Sequence, residues 1–142
     1  MRRALLPAAV VFLIAAPVVS ADVSYRVIVH PQVKGNQIPR TALSSIFLKQ
    51  APKWADGQAV QPIDQSVQST VRRRFSNDVL GQGVVAVQVY WQRRMSDGMI
   101  PPPVKTSDEE IVSFVASTPG AIGYISSATP LPDSVKAVEI TD

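Results

Sequence analysis

The sequence predicts an α/β fold, a mixed sheet flanked by helices. Two observations carry this. Short β-branched runs, Tyr25–His30, Ala121–Ile125 and Val135–Ile140, alternate or stay apolar as strands do. Between them lie segments whose apolar residues recur every three or four positions, as on one face of a helix. Strands interleaved with helices build layers in which helices cover a sheet. No repeat and no long linker divides the 142 residues, so one lobe is expected.

In chain order, Tyr25–His30 reads as a strand, closed by Pro31 and followed by a turn at Lys34-Gly35-Asn36. Pro39 suits a helix first turn, and Leu43, Ile46 and Phe47 give a short amphipathic helix over 39–48. Residues 59–63 form a short strand after turn material at 52–57. Ser66 then caps a helix that carries Val67, Val71, Phe75, Val79 and Leu80, closed by Gly81 and Gly83. A helix over 84–95 ends at Ser96-Asp97-Gly98, and Ile100 to Val104 is extended because it holds three consecutive prolines. Ser107 with Glu110 three residues later is a capping box for a helix through Ile111, Phe114 and Val115. Thr118-Pro119-Gly120 breaks it, a buried strand follows, and residues 135–140 make the last strand. The expected order is β-α-β-α-α-α-β-β.

The first 21 residues read as a secretory signal peptide. Arg2 and Arg3 precede an apolar run from Ala4 to Val19, and small residues follow at Ser20 and Ala21. Pro7 and Pro17 interrupt the run, which suits cleavage better than a permanent span of roughly 20 residues. Cleavage after Ala21 would leave a domain over 22–142, with no further membrane span and a periplasmic destination. It would also change the charge. The whole chain carries +3, but without Arg2 and Arg3 there remain 12 basic against 11 acidic residues, a balance of +1. The basic pI of about 9.5 is therefore largely the property of the leader, and nucleic acid is not an expected partner.

Chemistry has few candidates. There is no cysteine and a single histidine, His30, so neither a thiolate or multi-histidine metal site nor a Ser-His-Asp triad can be assembled. Asp108-Glu109-Glu110 falls on a helix start, where carboxylates are stabilised by the dipole without any metal. Arg72-Arg73-Arg74 reads as a solvated helix face with partners such as Asp78. The strand-to-helix junction has two readings, plain capping by Ser66 with Ser69 and Thr70 as solvated turn residues, which the local pattern alone favours, or a ligand site. Ser66, Ser69 and Thr70 put hydroxyl donors beside the unpaired N–H groups of a helix start, which can hold an oxyanion. No catalytic set, cofactor or metal is expected.

Several segments together resemble a known family. Leu43-Ser44-Ser45-Ile46-Phe47-Leu48 with Trp54-Ala55-Asp56-Gly57 is similar to a segment of the periplasmic phosphate-binding proteins of ABC transporters. Val60-Gln61-Pro62-Ile63, the Ser/Thr-bearing helix start ending in Phe75, and Thr118-Pro119-Gly120-Ala121-Ile122-Gly123-Tyr124-Ile125 follow in the family's order, across residues 25–127. The resemblance implies one lobe of a type II periplasmic-binding-protein-like fold, phosphate or another small oxyanion as ligand, and a membrane transporter or sensor as partner. It also exposes departures. The family's helix start reads Ser-Asp-Gly-Ser-Gly-Thr after an arginine. Here that arginine is Gln65, the aspartate is Val67, and both glycines are replaced, the second by Thr70, while Ser66 and Ser69 match. With these charged contacts and a second lobe missing, only weak binding at Ser66, Ser69 and Thr70 is implied. The alternative is a protein-interaction module that uses the face normally turned to the other lobe.

Overall fold

A computed structural model of the chain describes residues 10–15 and 23–142. Residues 10–15 are exposed and form no regular element. The rest of the expected signal peptide, with the boundary after Ala21, lies outside the described residues.

The expected α/β lobe is present. Strand β1 (Tyr25–Val29) runs antiparallel to both β6 (Ala121–Ser126) and β7 (Lys136–Thr141). Short parallel pairs extend the sheet at its two edges, β2 (Gln37–Pro39) beside β7 and β3 (Gln61–Pro62) beside β6. The resulting order is β2-β7-β1-β6-β3. A separate parallel pair joins β4 (Asp64–Gln65) to β5 (Val104–Lys105). Four α-helices complete the lobe: α1 (Arg40–Phe47), α2 (Thr70–Phe75), α3 (Val84–Ser96) and α4 (Asp108–Ser117). A π-helical turn, Ser76–Leu80, continues α2 and ends at Gly81 in the left-handed conformation.

The period of two in the central strands builds both layers. Val27, Val29, Ile122 and Tyr124 point to one face, where they meet Leu43 and Phe47 of α1 and Phe75 of α2. Ile28, Ala121 and Ile125 point to the other, against Ile111 and Val115 of α4. The larger layer centres on aromatic rings: Phe75 stacks on Tyr124 with centroids 3.9 Å apart, and Phe47 meets Phe75 edge-on at 4.9 Å.

The local signals acted as read at most element ends. The Ser107 hydroxyl accepts the Glu110 N–H at 3.2 Å, and the Glu110 carboxylate reaches back to the Thr106 N–H at 3.2 Å. Gly120 is required where α4 turns into β6. Its φ is +79°, and a Cβ there would come within 2.2 Å of the Ala59 carbonyl oxygen.

Four expectations change. Pro39 is the cap of α1 and the last residue of β2, not part of the helix first turn. The strand expected over 59–63 divides. The Gln61 N–H donates to Gly120, just before β6, and the Ile63 N–H to Ile122 within it, while the Asp64 N–H turns away to Pro103. Pro62, which has no N–H, sits at this sheet edge where no donor is needed. The helix expected from Ser66 begins at Thr70 instead, with Ser69 as its cap. Finally, the arginine run is not one solvated face: Arg73 and Arg74 are exposed, but Arg72 is buried.

Candidate functional site

The route from β4 into α2 positions the site. Asp64 and Gln65 are buried at the point where the chain leaves the main sheet and pairs with β5. Residues 66–69 then make a turn, closed by the Ser69 N–H donating to the Ser66 carbonyl at 2.9 Å. The Gln68 N–H donates to the Ser66 hydroxyl at 3.3 Å, so Ser66 serves this turn rather than the helix. Ser69 caps α2 by accepting the Arg72 N–H at 3.2 Å, and donates its own proton to the Gln65 side-chain carbonyl at 2.7 Å. That second bond explains the shift of the cap: Gln65 holds the Ser69 hydroxyl in place, and Ser66 has no comparable strut.

Gln65 spends its other end as well. Its amide donates to the Tyr124 carbonyl at 2.7 Å and to the Asp108 carboxylate at 3.3 Å. Asp108 in turn accepts from the Thr129 hydroxyl at 2.6 Å and the Ser126 N–H at 3.1 Å. Gln65 thereby ties together β4, β6, α4 and the start of α2.

Beneath the turn lies a buried charge cluster that the sequence reading did not assemble. Arg72 is 4% exposed, and its Nε lies 3.1 Å from the Asp64 carboxylate. Asp64 also accepts from its own neighbour, the Gln65 N–H, at 2.8 Å, and from the Tyr124 hydroxyl. Burial pushes the Asp64 carboxyl above the ordinary carboxylate range, outweighing the opposing pull of Arg72, Tyr124 and the Gln65 N–H. The Tyr124 hydroxyl is pushed well above its ordinary value, first by burial and then by the Asp64 charge. Arg72 is the least satisfied member: its Nε meets Asp64 as an ion pair outside hydrogen-bond geometry, and its Nη1 is buried without a partner. Orphaned buried donors are rare in folded proteins and ask for an explanation.

Arg72 and Asp64 line a cavity of about 420 Å³ between the β4–α2 junction, α3 and the proline-rich stretch before β5. Gln65 and Val67 line it at the junction, Val87 and Trp91 from α3, and Pro101 and Val104 from the far side. Its size falls within the range of small-molecule sites, about 300–1,000 Å³. Of the expected binding residues, Ser66, Ser69 and Thr70 stand together at the turn and the first position of α2, but they are not among the residues lining this cavity. A sequence signal for Arg72 did exist. Arg72, Phe75 and Val79 follow at steps of three and four, so the arginine falls on the apolar face of its own helix.

The fold is that of one lobe of a periplasmic-binding-protein-like α/β protein. More particularly, the fold is similar to one lobe of solved phosphate ABC transporter substrate-binding proteins, a PstS-like fold. A phosphate ABC transporter substrate-binding protein from Clostridium perfringens, solved with bound phosphate, matches with a TM-score of 0.66 at 18% identity over 82% of this chain and 44% of its own. An ABC-type phosphate transport receptor from Vibrio cholerae matches with a TM-score of 0.64 at 18% identity, over 82% and 45%. PstS from Borrelia burgdorferi matches with a TM-score of 0.64 at 15% identity, over 83% and 47%. The chain thus spans less than half the length of these proteins. No family model matches the sequence, and no curated protein matches it. Among the described residues, no helix is long and apolar enough to cross a membrane.

Proposed function

We infer that this chain is an exported, non-enzymatic lobe that binds a small anion where β4 runs into α2. The observation that carries the reading is the buried Arg72 guanidinium, which lines a cavity at that junction with its Nη1 left without a partner while its Nε is ion-paired to Asp64. A guanidinium is always charged and presents a planar fork of donors, so an anion is the natural partner for the nitrogen left over. The fold supports the same class. One of the similar structures holds phosphate, and all those described above are named as phosphate transport or substrate-binding proteins.

Within this reading, Ser69 holds the turn in shape through its two hydrogen bonds, one of them from the Arg72 N–H, and so positions Arg72 for an oxyanion such as phosphate, while Ser66 and Thr70 flank the turn outside the cavity lining. Binding is weak, because Gln65 stands where the family resemblance implies an arginine and a single lobe leaves the ligand open to water. The leader, residues 1–21, directs the lobe to the periplasm, where a transporter or sensor in the membrane is the partner this class of fold serves. Calorimetric titration with phosphate and sulfate tests the site. Heat is expected at millimolar ligand, with a loss of affinity in Ser69→Ala; no heat, or an unchanged affinity in that variant, refutes it.

A further inference from the structure

The cavity beside Arg72 has a composition that a site for inorganic phosphate does not need. Asp64 and Arg72 are the ionisable residues among those lining it, and they already oppose each other in charge. A dianion placed there would face the Asp64 carboxylate with a single cation to share, and buried charge is unfavourable unless paired. The rest of the lining is largely apolar and partly in water, with Gln65, Gln88 and Gln92 as its other polar members: Val67, Met95 and Val104 are 41%, 51% and 54% exposed, next to Trp91, Pro101 and Pro102. Apolar surface gathered around one unsatisfied guanidinium describes a ligand with one negative head and an apolar body.

We propose that this cavity takes a monocarboxylate with an apolar tail, its head on the Arg72 guanidinium at the unpartnered Nη1 and its tail along Val67, Trp91, Met95 and Val104. The proposal rests on the reading of the lobe as an anion-binding module and names the ligand class. Two features make the chemistry specific. The guanidinium fork matches a carboxylate bidentately, which no ammonium does. Each methylene moved from water onto the wall should then strengthen binding by about fourfold, whereas a bare oxyanion gains nothing from it.

The test is calorimetry of the whole protein with sodium acetate, sodium hexanoate and inorganic phosphate in turn. Hexanoate should bind at least about tenfold more tightly than acetate, a conservative fraction of what four added methylenes can supply. Val104→Asp puts a like charge on the exposed wall and should weaken hexanoate by about tenfold or more. Arg72→Lys keeps the charge and loses the fork, and should weaken both carboxylates. Hexanoate binding no tighter than acetate, or hexanoate binding that ignores Val104→Asp, overturns the proposal. Heat from phosphate with none from hexanoate also overturns it, while leaving the anion-binding reading standing. No heat from any of the three overturns both.

Discussion

The Asp64–Arg72 pair makes a quantitative prediction, because its two members are unequally supported. In Asp64→Asn the guanidinium loses the carboxylate 3.1 Å from its Nε and stays buried with its Nη1 already unpartnered. Removing one partner of a buried pair in this way costs about 3–5 kcal/mol. Arg72→Met leaves Asp64 better placed, since it keeps the Tyr124 hydroxyl and the Gln65 N–H as donors. Its carboxyl already lies above the ordinary range, so it can also take up a proton and discard the charge. The expected loss is smaller, about 1–3 kcal/mol. The double variant Asp64→Asn/Arg72→Met removes both charges and should be more stable than the sum of the single losses predicts, by about 1 kcal/mol or more. Urea unfolding followed by circular dichroism reads all three. With a slope of about 1–3 kcal/mol per molar, the Asp64→Asn midpoint should fall by about 1 M or more, and further than that of Arg72→Met. Equal midpoints for the two single variants, or strictly additive losses, would refute the asymmetry and with it the account of Arg72 as the strained member.

Three further outcomes are expected. A carboxyl whose folded pKa is raised above its unfolded value binds its proton more tightly in the native state, so Asp64 contributes stability below the unfolded pKa that is lost as pH rises through the folded one. Stability should therefore decline from this group as pH rises from its ordinary value of 3.8, and a urea series across pH should show a shallower decline in Asp64→Asn. At Gly123 an added Cβ would come within 2.8 Å of Ile63 Cγ2 and 2.9 Å of Ile111 Cγ2, so Gly123→Ala should destabilise by about 1–3 kcal/mol, and an unchanged melting temperature would contradict the packing of α4 on β6. The intact mass of the exported protein should correspond to residues 22–142, and retention of residues 1–21 would refute the leader reading.

What the sequence disclosed, and what it concealed, follows from the range of the forces involved. Strands β1, β6 and β7 were legible because their pattern is local: Val27 and Val29 alternate with Ile28, and the sheet sorts them to opposite layers. The Ser107–Glu110 box was legible because both partners lie within one turn. Strands β2, β4 and β5 are two or three residues long and exist only through partners more than thirty residues away in the chain, so no local pattern could mark them. The start of α2 moved from Ser66 to Ser69 for the same reason. Both are good caps by propensity, and the choice between them is made by Gln65, itself held by Tyr124 and by Asp108 from α4.

The same distinction bears on how an anion site could persist in this lobe. Gln65 stands where the resemblance implies an arginine, and in the structure it is a strut whose amide and carbonyl are engaged with β6, α4 and Ser69. The cation near the junction is instead Arg72, seven residues on, drawn inward by Asp64. An arginine that arrives with its own counter-ion differs physically from one that stands alone. It adds donors without adding net charge, so it can order a ligand's oxygens but cannot supply the long-range attraction that captures a multiply charged anion. Affinity must then come from the rest of the ligand, which is what the apolar wall of Val67, Met95 and Val104 is chemically suited to provide. A lobe built this way should discriminate among anions by their apolar parts, and its binding should respond only weakly to ionic strength; a steep salt dependence would show that free charge, not the paired Arg72, governs capture.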